Sequence, residues 1–360
     1  MDNSNENNTK NTPEPLNPTE PIGAEPVKPP EEVQKPSTEP PTQSEPPKPP
    51  APKPVSPKSA KSHAEEDEAA THVIPMPSAW RTMWNEIYKD KIALVALFTF
   101  ILVTIAIFVG AAAFSGSELA EVNLRLRNEP PGPGLPLGAD PGGRGILQML
   151  FLGARVSFIV GVSVTILGSI IGILVGLIAG FYGGTFDNIV MRIVDTWSML
   201  PTLMIIIVIV SMMPYYTSIH FVLVMSAFGW TGTARIMRAM ALQQRSLDYV
   251  SASKTLGTRN IVIMFREVLP SLVPVITVNL TLTLAANIGI ETGLTFLGFG
   301  LPFGTPSLGR LIAYAIVPHT LQFRMNQWLP AATLVFLLML CVYCVGQAMN
   351  RASDVRQRRA

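Results

Sequence analysis

Residues 249–270 read YVSASKTLGTRNIVIMFREVLP, a polar, glycine-centred stretch set between two long hydrophobic runs. The flanking runs, 219–240 and 271–298, are each long enough to cross about 30 Å of hydrocarbon. The stretch between them is therefore a short polar excursion from a membrane. Asp248 is placed to cap a short helix from Tyr249 to Leu256, with Gly257 in the left-handed conformation that ends it. Asn260 is placed to cap the next helix, which re-enters the membrane at Pro270. Plain connectors are shorter and less regular than this predicted helix–turn–helix. Its small residues Ser251, Ala252 and Ser253 suit entry into a groove on a partner.

Working outward, apolar runs recur at 92–114, 158–180, 189–213, 219–240, 271–298 and 327–348. The fold class expected is an all-α membrane protein with six transmembrane helices. Of 360 residues, 48% are hydrophobic and only 14% charged, but these averages join two unlike parts. Residues 1–79 hold 19 of the 32 prolines and few aromatic or branched apolar residues. They are expected to form a disordered, proline-rich cytoplasmic tail, with polyproline II character around EPPKPPAPKPVSPK. The tail is long, polar and without an apolar core near its start, unlike a secretory signal. Trp80, Trp84 and Tyr88, spaced by four, make one aromatic face beside Arg81, Lys89 and Lys91. They predict an interfacial helix ahead of the first span, with 80–114 covering both. Next come an extracellular loop at 115–150, a core with five spans at 151–350, and a basic cytoplasmic C-terminus at 351–360.

From residue 80 onward, 20 basic residues face 12 acidic ones. They are scattered rather than striped, which speaks against nucleic acid and for membrane sidedness. With the N-terminus inside, the inner side receives Arg81, Lys89, Lys91, Arg192, the cluster within 235–266, and Arg351, Arg356, Arg358 and Arg359. The outer side receives Arg125, Arg127, Arg144, Arg155, Arg310 and Arg324. That asymmetry places both termini, and the opening stretch, in the cytoplasm.

Two patterns within the spans call for a role. Gly168, Gly172, Gly176 and Gly180 repeat every fourth residue, leaving a strip on which another helix can pack closely. Asn279, Thr283, Asn287 and Glu291 share the same spacing in the fifth span, with Glu291 toward the outer interface. Polar groups at membrane depth face either a bundle interior or an aqueous path, so interior hydrogen bonding and a translocation path both stand. Cys341 and Cys344 have no second pair and no βαβ context, and the four histidines show no ligand spacing. No metal or cofactor is expected. A membrane-embedded hydrolase would need a nucleophile and base at matching depth, and only His220 lies even at a span edge. A lone ion-coupled carrier would show inverted repeats and buried ionisable groups, which only Asp195 and Glu291 approach.

Several motifs in order resemble a known family. S-A-S-K-T-L-G at 251–257, followed by V-L-P, is similar to the E-A-A-x-x-x-G and I-x-L-P loop of ABC importer permeases. More narrowly, region 80–360 resembles the C-type permease subunit of oligopeptide and dipeptide importers. LGADPGGRG at 137–145 precedes GARVS at 153–157. Met191, Arg192, Asp195 and Pro201 match M-R-x-x-D and its proline. Gly229, Trp230, Ala234, Arg235 and Arg238 match G-W-x-x-x-A-R-x-x-R, and ETGLTFLGFG at 291–300 matches E-x-x-L-S-F-L-G-L-G. The chain departs from the pattern at Ser251 (glutamate in the family), Ser253 (alanine), Gly145 (aspartate) and Glu267 (commonly histidine).

The resemblance implies a type I ABC importer permease in a bacterial inner membrane. Residues 249–257 would be its cytoplasmic coupling helix, with Ser251, Ala252, Ser253, Gly257 and Arg259 as the coupling set. Implied partners are a second related permease, two cytoplasmic ATPase subunits, an extracytoplasmic substrate-binding protein and membrane lipid. The chain would be non-catalytic, and no G-x-x-x-x-G-K-[ST] phosphate loop occurs in it. Peptide is the substrate implied, with nickel or another small solute as the family's alternative.

Overall fold

The computed structural model describes residues 90–114 and 123–357, all within the compact unit Ile74–Ala360. The proline-rich tail and the aromatic face at Trp80, Trp84 and Tyr88 lie outside the described residues. What is described is helical, without strands. The helices are α1 (Lys91–Ala113), α2 (Ile146–Tyr182), α3 (Gly184–Ser198), α4 (Thr202–Met212), α5 (Ser218–Gly229) and α6 (Thr231–Arg245). They continue with α7 (Asp248–Thr255), α8 (Asn260–Ile263), α9 (Leu269–Phe296), α10 (Leu308–Ile312), α11 (Pro318–Phe323) and α12 (Met325–Gln357).

Among the described residues, four helices are long and apolar enough to cross a membrane, or five if one bent pair counts as a single span. The four are α1, α2, the continuous α8–α9 and α12. Lipid cannot satisfy open backbone groups, so several such helices make this a multi-pass membrane protein. The runs expected as third and fourth spans differ from simple rods. Run 189–213 is the bent pair α3–α4, turned by 70°. Its break precedes Pro201, which lacks an N–H and disfavours helical backbone at Leu200. Run 219–240 passes through Trp230 from the 12-residue apolar α5 into the amphipathic α6. The polar side of α6 is paired: Arg238 Nε donates to Asp187 at 2.9 Å, and Arg235 bonds Asp195 at 3.2 Å.

The central element is α2, which packs along α6, α9, α5 and α1. Its glycine strip lies against α5 and α6. A β-carbon built on Gly172 would stand 2.7 Å from the Trp230 carbonyl oxygen, and one on Gly176 would stand 2.3 Å from that of Ala234. At Gly180 the Arg238 carbonyl oxygen is 2.4 Å away, whereas Gly168 has about an ordinary contact, 3.9 Å. Such approach gains backbone dispersion where lipid supplies no hydrophobic drive between helices. Behind α2, α9 packs on α12 and α12 on α1. Asp90 caps α1, its Oδ1 accepting from the Ile92 N–H at 3.0 Å, and it also ion-pairs with Arg351 of α12.

Residues 123–145, ahead of α2, gather around one buried side chain. Asp140 accepts from the N–H groups of Gly142 and Arg144, both at 2.8 Å, and from the Arg144 guanidinium at 2.7 Å. The Tyr314 hydroxyl donates to it at 2.8 Å. Burial, with the Asp140 carboxylate beside it, pushes the Tyr314 phenol well up, so it remains a donor.

Candidate functional site

The opening stretch forms α7, a turn, and the short α8, which a π-helical turn (Met264–Val268) joins without a break to α9. The widened turn sits directly ahead of Pro270, whose missing N–H leaves one helical hydrogen bond unmade. Gly257 has φ +80°, the left-handed geometry expected there, with open space around its α-carbon. The capping assignments shift by one residue. Leu247 holds the N-cap of α7 and Arg259 that of α8, so Asp248 and Asn260 are first helical residues and neither end has a side-chain cap. Asp248 still places negative charge in the first turn, where the helix dipole favours it.

One residue seats the helix. Val250 is fully buried, in a core cluster with Leu177, Phe181, Ala241 and Ile263. Lys254 extends over the Phe181 ring, 5.2 Å from its centroid. The Tyr249 hydroxyl donates to Gln244 at 2.8 Å. Partial burial, with the Glu267 charge adding to it, holds that phenol above its usual range. The opposite side of α7 is bare. Ser251, Ala252, Leu256, Gly257 and Arg259 are exposed, and Leu256 is 85% accessible. Among the described residues nothing covers that leucine, which follows directly on α7.

Ser253 points back into the protein. Its hydroxyl donates to Glu267 at 2.8 Å, so two of the three residues that depart from the family pattern in this loop are bonded to each other. A serine that loses such a partner costs about 0.5–1.5 kcal/mol. Of the five residues expected to couple, the structure puts Ser251, Ala252, Gly257 and Arg259 on the exposed surface and turns Ser253 inward.

The polar column of α9 is committed to its neighbours. Asn279 Nδ2 donates to Thr233 of α6 at 3.0 Å, and Asn287 Nδ2 donates to Thr165 of α2 at 2.9 Å. Thr283 is half-buried. Glu291 is fully buried, and accepts from the Thr295 hydroxyl at 3.0 Å. The grooves beside this column are apolar. One of about 320 Å³ is lined by Leu97, Phe100, Ile166, Leu284 and Val342.

Comparison with known proteins agrees with this architecture. Residues 172–359 match the family model described as binding-protein-dependent transport system inner membrane component. The oligopeptide transport system permease protein OppC of Lactococcus lactis subsp. cremoris (strain SK11) is 40% identical over 274 residues, 76% of this chain and 93% of that protein. The permease protein AmiD of Streptococcus pneumoniae is 32% identical over 304 residues, covering 82% of this chain and 96% of its own length. The dipeptide permease DppC of Bacillus subtilis (strain 168) is 30% identical over 293 residues, 81% and 90% of the two chains. With a model matching over half its length and relatives aligned nearly end to end, the chain belongs to the family of binding-protein-dependent transport system inner membrane components.

Proposed function

We propose that the chain is the transmembrane permease subunit of an ATP-driven peptide importer. The observation that carries this reading is the near full-length similarity to permeases named for oligopeptide and dipeptide transport. In this reading six segments cross the membrane: α1, α2, the bent α3–α4, α5 continued into α6, α9 and α12. Both termini and α7 are cytoplasmic, and residues 115–150 and 301–325 lie outside. The basic-residue asymmetry supports that orientation.

A second permease completes the translocation path, and an extracytoplasmic binding protein delivers the peptide. Two cytoplasmic ATPases each dock a projecting helix, α7 being the one this chain supplies. Ser251, Ala252, Gly257 and Arg259 meet the ATPase, and Ser253 holds the helix at its angle through Glu267. ATP binding and peptide binding favour different states of one bistable bundle, and movement of α7 links them. The hydrogen bonds of Asn279, Asn287 and Glu291 favour a packing role for that column over direct contact with peptide.

Reconstitution of the complete complex in proteoliposomes tests the function. Labelled oligopeptide should accumulate only with ATP and the binding protein both present. Accumulation by this chain alone would overturn the subunit reading, and nickel or another non-peptide solute retained by the binding protein would overturn the substrate.

A further inference from the structure

Glu291 is a fully buried carboxylate at the end of a membrane-spanning helix, and no ion pair to it is formed among the described residues. Three hydroxyls point at it instead. Thr295 donates to Oε1 at 3.0 Å and Thr292 to Oε2 at 3.3 Å, while Ser157 of α2 bonds the same carboxylate. Two of these hydroxyls also act as acceptors. Thr295 Oγ1 accepts the Leu301 N–H at 3.2 Å, and Ser157 Oγ accepts the Leu308 N–H at 3.2 Å.

Both amides belong to the segment that folds back after α9, Leu301 ahead of α10 and Leu308 at its first residue. A hydroxyl has one proton, and a backbone N–H can only donate. The carboxylate draws the proton of each hydroxyl toward itself, which leaves a lone pair aimed at each segment amide. One buried acceptor thus sets the polarity of two hydrogen bonds along the segment.

The backbone packing shows that the segment is pressed down, not draped. A β-carbon on Gly300 would stand 2.0 Å from Thr295 Oγ1, and one on Gly309 would stand 2.4 Å from the Thr292 carbonyl oxygen. Gly153 of α2 meets the Ser307 backbone at 2.9 Å by the same measure. The far side is tied as well. Tyr216 donates its hydroxyl proton to the Gly300 carbonyl at 2.9 Å, and Arg310 donates to the Pro302 carbonyl at 3.2 Å, under the Phe303 ring.

We propose that Glu291 is a positioning residue that latches segment 297–312 onto α2 and the end of α9, closing that end of the bundle. That this end is the extracytoplasmic one, and that its closure matters to import, rests on the function proposed above. The latch itself does not. Site-resolved hydrogen–deuterium exchange on the intact complex in lipid nanodiscs separates the two. Glu291→Ala should speed exchange of the Leu301 and Leu308 amides at least tenfold, leaving the Asp140-centred loop unchanged. Thr295→Val should release Leu301 but not Leu308, and Ser157→Ala the reverse. Adding Glu291→Ala to Thr295→Val should give no further change at Leu301. Glu291→Gln, which keeps one acceptor, should fall between parent and Glu291→Ala. If Glu291→Ala does not assemble, the two single hydroxyl variants and Glu291→Gln carry the same test. Unaltered exchange at both amides in assembled variants, or release of both by either hydroxyl variant alone, would overturn the latch. Changed exchange with normal uptake would keep the latch and refute only its part in import.

Discussion

Ala252→Arg should cost the chain its ATPase subunits on purification and most of its peptide uptake, at unchanged membrane expression. Ala252 is exposed on α7 and does not contribute to the core cluster that holds the helix through Val250. The substitution therefore leaves the fold of this chain alone and acts at the surface it presents. A helix tip that enters a cleft must be small, and a guanidinium there both clashes and loses water without gaining a partner charge. An unpaired charge in a packed interface costs about 3 kcal/mol or more, roughly a hundredfold in affinity. Ser251→Ala is the matched control. The Ser251 backbone carbonyl, not its hydroxyl, accepts the Thr255 bond, so its removal should change little. Normal ATPase recovery and uptake with Ala252→Arg would reduce α7 to a connector.

Gly176→Leu should prevent assembly while leaving membrane insertion intact. The obstacle at this position is backbone, the Ala234 carbonyl oxygen at 2.3 Å and the Arg238 nitrogen at 2.9 Å from a built β-carbon, and backbone cannot rotate away. The helices must part. Overpacking of this kind costs about 1–3 kcal/mol, and here it also displaces the residue that pairs with Asp187. Gly168→Ala is the discriminating companion, since its nearest neighbours stand at 3.9 Å and an added methyl is ordinary contact. Complex yield and melting temperature on gel filtration of the detergent extract measure both. Parent-like behaviour of Gly176→Leu would mean that α2 and α6 do not pack as described.

The parts legible in the sequence were those with local causes. A hydrophobic run of span length needs no neighbour to be recognised, and α1, α2, α9 and α12 follow from it. Gly257 marks its own turn because a left-handed backbone favours a residue without a β-carbon. Helix caps proved less readable. Asp248 and Asn260 are good capping residues by type, yet each sits one position inside its helix, a shift within ordinary helix-boundary uncertainty. Pro201 carried the signal for the bend between α3 and α4, but the hydrophobicity continuing through it reads as one span.

What depends on distant partners was not legible. Ser253 and Glu267 stand as separate departures from the family pattern until the turn folds them to 2.8 Å. The place of Glu291 near the end of an apolar run does not show what covers it. Ser157, on another helix, and the returning segment bury it. Spacing within one helix gives the face a residue occupies, not what the chain brings back to cover it.

The central claim is that α7 faces the cytoplasm and offers its small, exposed tip to the ATPases. The most direct measurement places a single cysteine at Ser251, in the assembled complex with Cys341 and Cys344 replaced by alanine, and treats intact cells with a membrane-impermeant maleimide. No labelling should occur from outside, and labelling should appear once the membrane is permeabilised and the ATPases are stripped away. Labelling of Ser251→Cys from outside intact cells would contradict the orientation, and with it the docking role of α7.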